Sequence, residues 1–137
     1  MLQFTLPGVP CIYYGDEIGM EGYGDPFNRR YYDWAHGDEE LRGWYRALGK
    51  LRRDHPVLRD GAFVELSSGM GCVAYAREKG EQKLVVIVNR NNSPMDFYFH
   101  PQYYGLEKVI GHPPELDRVH LDPLSCAVLA SPTAWQQ

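Results

Sequence analysis

A chain of 137 residues has the length of one ordinary domain, able to bury roughly 65–70% of the surface its unfolded form exposes. Apolar content of 44% and charged content of 23% exclude wholesale disorder, and a net charge of −4 leaves no basic footprint for nucleic acid or an anionic membrane. No apolar run reaches the ~18 residues of a membrane span. In chain order, Leu2 to Pro10 is apolar and carries two prolines, and Cys11–Tyr14 is a short apolar run before Gly15 that predicts a buried strand. Residues 19 to 37 hold Gly19, Gly22, Gly24, Gly37 and Pro26, which makes a long loop, and loops of that length in compact domains usually serve function. Asp38 is placed to cap a helix running to about Asp54, with Glu39 and Glu40 in its first turn and Lys50, Arg52 and Arg53 in its last. Leu41, Tyr45, Leu48 and Leu51, with Trp44, recur at three- and four-residue spacing and form its apolar stripe, and Pro56 stops it.

After Pro56 the period changes to two. Ala62–Leu66, Cys72–Arg77, Leu84–Asn89, Asp96–His100, Leu106–Ile110, Arg118–Leu121 and Ser125–Ala130 are short β-branched or aromatic segments separated by turn clusters. Their spacing predicts an antiparallel sandwich. Leu84–Val88 is apolar on both faces and is the expected central strand. Cys11, Cys72 and Cys126 lie too far apart for a CxxC or a zinc spacing, so buried reduced thiols in a cytoplasmic protein are expected.

Four stretches carry a resemblance. Gly8-Val9-Pro10-Cys11-Ile12-Tyr13-Tyr14-Gly15-Asp16-Glu17-Ile18-Gly19-Met20 and Asp25-Pro26-Phe27-Asn28-Arg29-Arg30-Tyr31-Tyr32-Asp33-Trp34 resemble the last barrel strand and following loop of α-amylase-type glycoside hydrolases. The nearest branch is that of the neopullulanases and cyclomaltodextrinases. Leu51-Arg52-Arg53-Asp54-His55-Pro56-Val57-Leu58 matches the family's Leu-Arg-x-x-His-Pro-x-Leu helix end, and Val85-Val86-Ile87-Val88-Asn89 resembles its Val-Val-x-Val-Asn strand. The resemblance is strong to residue 61 and a looser pattern beyond. It implies a mainly β fold: an antiparallel Greek-key β-sandwich of the amylase C-terminal type, preceded by a short strand, a loop and one α-helix from the end of a (β/α)8 barrel. Residues 1–56 would be the barrel remnant and residues 57–137 the sandwich. The family's three catalytic carboxylates are expected to lie upstream of this stretch, so the chain alone is expected to be inactive, with α-glucan oligosaccharide the ligand of the full-length parent.

Within the chain, Asp16 and Glu17 are adjacent, and on an extended segment they would point to opposite faces rather than flank one bond at the ~5–5.5 Å that retaining glycoside hydrolysis requires. Structural hydrogen bonding beneath the loop is their expected role. Glu39 and Glu40 at a helix start read as a solvated, dipole-matched face. The resemblance assigns sugar contacts to Asp25 and Arg29, against the plainer reading of a local ion pair that shapes the loop; Tyr31-Tyr32 stands where relatives often have Pro-Met, so the resemblance does not extend to substrate preference. No catalytic residue, metal site or cofactor is expected: His36, His55, His100, His112 and His120 show no ligand spacing, and neither a phosphate loop nor a Gly-x-Ser-x-Gly elbow occurs. Phe97, Phe99, Tyr103 and Tyr104 read as core or edge filler before a starch-stacking platform. A non-catalytic module binding glucan or another subunit is the alternative. The apolar edge near Cys11–Tyr14, stripped of barrel neighbours, predicts a homodimer through residues 1–35 or loss of order there.

Overall fold

The long helix forms where its caps place it. In the computed structural model, which describes residues 1–132, α1 is a single turn over Leu2–Thr5 and α2 spans Glu39–Asp54. The Asp38 carboxylate accepts the Leu41 amide at 2.9 Å, satisfying one of the donors that a helix start leaves open. Leu48 and Leu51 are buried, Leu41 and Tyr45 are half-buried, and Trp44 sits at the margin of the stripe. Pro56 opens a one-turn helix, α3, at Val57–Asp60. Gly61 then leads into the first strand. A Cβ on Gly61 would lie 2.4 Å from the Val57 carbonyl oxygen, so only glycine allows this close approach.

Among the described residues seven strands follow: β1 Ala62–Gly69, β2 Cys72–Lys79, β3 Gln82–Asn89, β4 Met95–Tyr98, β5 Glu107–Ile110, β6 Arg118–Leu121 and β7 Cys126–Ala130. Each expected segment is present. They form an antiparallel five-stranded sheet in the order β1-β2-β3-β7-β5 and a two-stranded sheet β4-β6. After β3 the chain passes back and forth between the sheets until β7 pairs beside β3, the crossed connectivity of a Greek-key sandwich rather than of a meander. β3 is central, with Val86 paired to Tyr75 on one side and Val128 on the other.

Both faces of the five-stranded sheet are covered, which explains why β3 reads as a continuous apolar run. On one face Ala74, Ala76, Val85, Ile87, Ala127 and Leu129 meet Val119 and Leu121 of β6. On the other, Tyr75, Leu84, Val86 and Val128 pack against Phe4 of α1, Leu48 and Leu51 of α2, and Val57 and Leu58 of α3. The aromatic pairs divide as filler: Phe99 and Tyr103 are buried, Phe97 is half-buried, and Tyr104 stays at the edge.

The front segment departs from expectation. Cys11–Tyr14 forms no strand, and Ile12 and Tyr13 are 42% and 51% exposed. A lone strand leaves a full row of amides and carbonyls unpaired, so without neighbours the backbone turns instead. Asp16–Ile18 is one turn of 3-10 helix, so Asp16 and Glu17 do not lie on an extended segment as the sequence reading supposed.

Candidate functional site

The 19–37 loop is built from its base upward. Gly15 holds φ +94°, a left-handed conformation that reverses the chain into the Asp16–Ile18 turn, and the Met20 amide closes back on the Gly15 carbonyl at 2.9 Å. Glu17 then ties the two ends of the loop. One carboxylate oxygen accepts the Gly15 amide at 3.0 Å and the other accepts the Tyr32 hydroxyl at 2.9 Å. The Asp38 amide donates to the Ile18 carbonyl at 3.1 Å, fastening the base to the start of α2. Hydrogen bonds from its own amide, the Tyr32 hydroxyl and the Gly15 amide hold the Glu17 carboxyl below the usual range, against the opposing effect of burial. Burial, and then the carboxylate partner, push the Tyr32 phenol up. Asp16 accepts the Tyr13 amide at 3.3 Å. The expected role of these two acids beneath the loop is met, although on a turn. A glycosidase acid needs a raised value, and Glu17 is shifted the other way.

Along the stem, the Tyr14 hydroxyl donates to the Arg30 carbonyl at 2.7 Å, and the Arg30 guanidinium folds back onto the Glu21 carbonyl. A cleft of about 310 Å³ lies here, lined by Tyr13, Tyr14, Asp16, Met20, Glu21, Gly22, Asn28 and Arg30. At the tip, Phe27 closes on the Gly24 carbonyl and Arg29 on the Pro26 carbonyl. The Arg29 Nε meets Asp25 Oδ1 at 2.9 Å, with the two side chains 71% and 64% exposed. Asp25 and Arg29 are therefore brought together, at the rim rather than in the cleft, and most of their donor and acceptor atoms face solvent. Tyr23, Phe27 and Tyr31, near them in sequence, are exposed, while Trp34 rests against Tyr32 with ring centroids 4.6 Å apart. Glu39 pairs with Arg42 at 2.7 Å at the start of α2, the solvated arrangement expected of it. Among the described residues no group of three potential ligands is placed to hold a metal ion.

The set that sequence reasoning missed lies between β2, α1 and α3. Arg77 on β2 is 1% exposed, and its guanidinium donates to the carbonyls of Thr5 at 2.9 Å, Leu58 at 3.0 Å and Gly61 at 2.8 Å. The signal was present in the sequence as a charged residue at an apolar register position of a buried strand.

A cyclomaltodextrinase from a Bacillus species is 36% identical over 97 residues, which is 68% of this chain and 17% of that protein. The structure of an Anoxybacillus α-amylase superposes with a TM-score of 0.87 at 27% identity, covering 97% of this chain and 31% of that one. The chain belongs to the α-amylase family of glycoside hydrolases. Another solved member, the cyclic α-maltosyl-(1→6)-maltose hydrolase of Arthrobacter globiformis in complex with cyclic α-maltosyl-(1→6)-maltose, gives a TM-score of 0.77 at 29% identity over 95% of this chain and 28% of that one. No family model matches the chain. This α-amylase-family chain spans only 16% to 19% of the length of three cyclomaltodextrinases to which it is similar. No described helix is long and apolar enough to cross a membrane.

Proposed function

We propose that this chain is the C-terminal part of an α-glucan-cleaving glycoside hydrolase of the neopullulanase or cyclomaltodextrinase type, cytoplasmic, in which residues 1–56 complete the catalytic barrel and residues 57–137 form the sandwich packed on it. Asp25 and Arg29 contact sugar hydroxyls of an α-glucan oligosaccharide held across the loop. The observation that carries this reading is the tip of the loop, where an exposed carboxylate–guanidinium pair lies in a stretch whose Tyr23, Phe27 and Tyr31 are also exposed. Sugar rings offer apolar faces and polar edges, which suit aromatic stacking and bidentate hydrogen bonds. The catalytic carboxylates come from chain outside these residues, and the isolated chain has no glycosidase activity. Its exposed Val9, Ile12, Tyr13 and Tyr31 meet barrel neighbours in the parent, and in isolation they pair two copies through residues 1–35.

The coding sequence immediately upstream tests the parentage: an in-frame barrel carrying an Asn-His-Asp motif is the expected finding, and a stop codon or an unrelated domain would overturn it. Turnover of cyclodextrin, pullulan or starch by the repurified chain would overturn the assignment of catalysis to residues outside it.

A further inference from the structure

The two-stranded sheet has an inner and an outer face. Met95, Phe97, Val119 and Leu121 belong to the core, so the period of two places Asp96, Tyr98, Arg118 and His120 together on the other side. There Asp96 stands opposite His120 and Tyr98 opposite Arg118. The aromatic residues weighed for stacking from the sequence are filler or lie at the edge, whereas Tyr98, between two of them, is exposed. Beside it the polar side chains form an unbroken row. Arg118 Nε donates to Glu115 Oε2 at 2.8 Å, and its Nη1 lies 3.6 Å from Asp96 Oδ2. Asp96 Oδ1 meets His120 Nδ1 at 2.8 Å, the His120 ring packs edge to face on His112 with centroids 5.7 Å apart, and His112 Nε2 meets Asp122 Oδ2 at 2.8 Å. The buried Asn89 fixes the far end by donating to the Asp122 carbonyl at 2.9 Å.

Charge and size narrow the ligand. Each carboxylate in the row already has a basic partner, so the patch exerts little pull on an ion and suits a neutral ligand rich in hydroxyls. Residues two apart on a strand lie ~6.8 Å apart and adjacent strands ~4.8 Å, so the four outer side chains cover about the footprint of one sugar ring. An aromatic face stands at one corner, with charged donors and acceptors beside it. Mutual pairing already orders these side chains, which lowers the entropy that binding must remove.

We propose that the outer face of β4 and β6 is a second saccharide-binding site, where the Tyr98 ring stacks on a sugar ring and Asp96, Arg118 and His120 hydrogen-bond its hydroxyls. The choice of α-glucan as the saccharide rests on the proposed function. The site itself shares no residue with the 19–37 loop, and either can fail without the other.

Titrating the whole chain with maltoheptaose, followed by NMR of the backbone amides, tests it. The amides of β4 and β6 are expected to shift and saturate with a dissociation constant of roughly 1–10 mM, the affinity of one stacked ring and a few hydrogen bonds. Tyr98→Ala should weaken this binding about tenfold, while Tyr98→Phe, which keeps the ring, should stay within about twofold of the unmodified chain. Asp96→Ala should also weaken it roughly tenfold through a lost charge-assisted hydrogen bond, and it decides the matter if Tyr98→Ala does not fold. Amides of residues 20–36 report the loop in the same spectra. Shifts at β4 and β6 without any at the loop would support the proposal and count against the loop. Shifts confined to the loop, no shift at β4 and β6 up to about 20 mM, or shifts undiminished in Tyr98→Ala would each overturn the proposal.

Discussion

Val86 is fully buried on the helix-facing side of β3, between Tyr75 and Val128, and Val88 lies on the same face but only half-buried. Truncating Val86 to alanine removes two packed methyl groups and leaves a small cavity, at an expected cost of about 1–3 kcal/mol. Val88→Ala should cost less, since part of that side chain already meets water. Urea unfolding followed by circular dichroism reads both, and an unmoved midpoint for Val86→Ala would deny β3 its central place. Gly61 is the opposite case, a site with no room. An alanine there drives its Cβ into the Val57 carbonyl and side chain and disturbs the carbonyl that Arg77 holds, so a loss of about 1–3 kcal/mol is expected in the same assay.

The seven strands and α2 were legible because each carries a local signal that the fold does not override. The period of two, the turn clusters between segments and the Asp38 cap all depend on near neighbours in sequence. Cys11–Tyr14 was misread for the complementary reason: an apolar run becomes a strand only where other strands pair with it, and none does here. Asp25 and Arg29 could be singled out through the family motif, and their ion pair was the plainer alternative already implied by their spacing. The Glu17–Tyr32 tie could not be read, because it depends on how a fifteen-residue separation closes in space. That tie has a pH signature. A carboxyl whose folded value is depressed stabilises the structure fully above its unfolded value, and that contribution is lost as pH falls through the folded value. The Gly15 amide shift followed by NMR should therefore titrate with a midpoint below the ordinary glutamate range, and the step should vanish in Glu17→Gln. A midpoint at or above that range would contradict the assignment.

As a molecule, the chain joins a well-packed sheet to a front segment rich in exposed aliphatic and aromatic surface, with Val9 at 92%, Tyr31 at 98% and Trp34 at 87% exposure. Such a face on an isolated chain favours self-association. Sedimentation velocity should show a concentration-dependent dimer, and replacing Ile12, Tyr13 and Tyr31 with serine should return a monomer. A monomer at every concentration in the unmodified chain would contradict this. In the proposed full-length hydrolase, the direct measurement is kcat/KM for maltooligosaccharide hydrolysis in Asp25→Asn, Arg29→Ala and Arg30→Ala. If Asp25 and Arg29 hold sugar hydroxyls, each of the first two variants loses one or two charge-assisted hydrogen bonds worth about 1.5–3 kcal/mol apiece, a roughly ten- to hundredfold fall, at unchanged thermal stability. Arg30 is folded back onto the Glu21 carbonyl, so its variant should lose less. Equal losses at Arg29 and Arg30, or losses that track a falling melting temperature, would contradict the account.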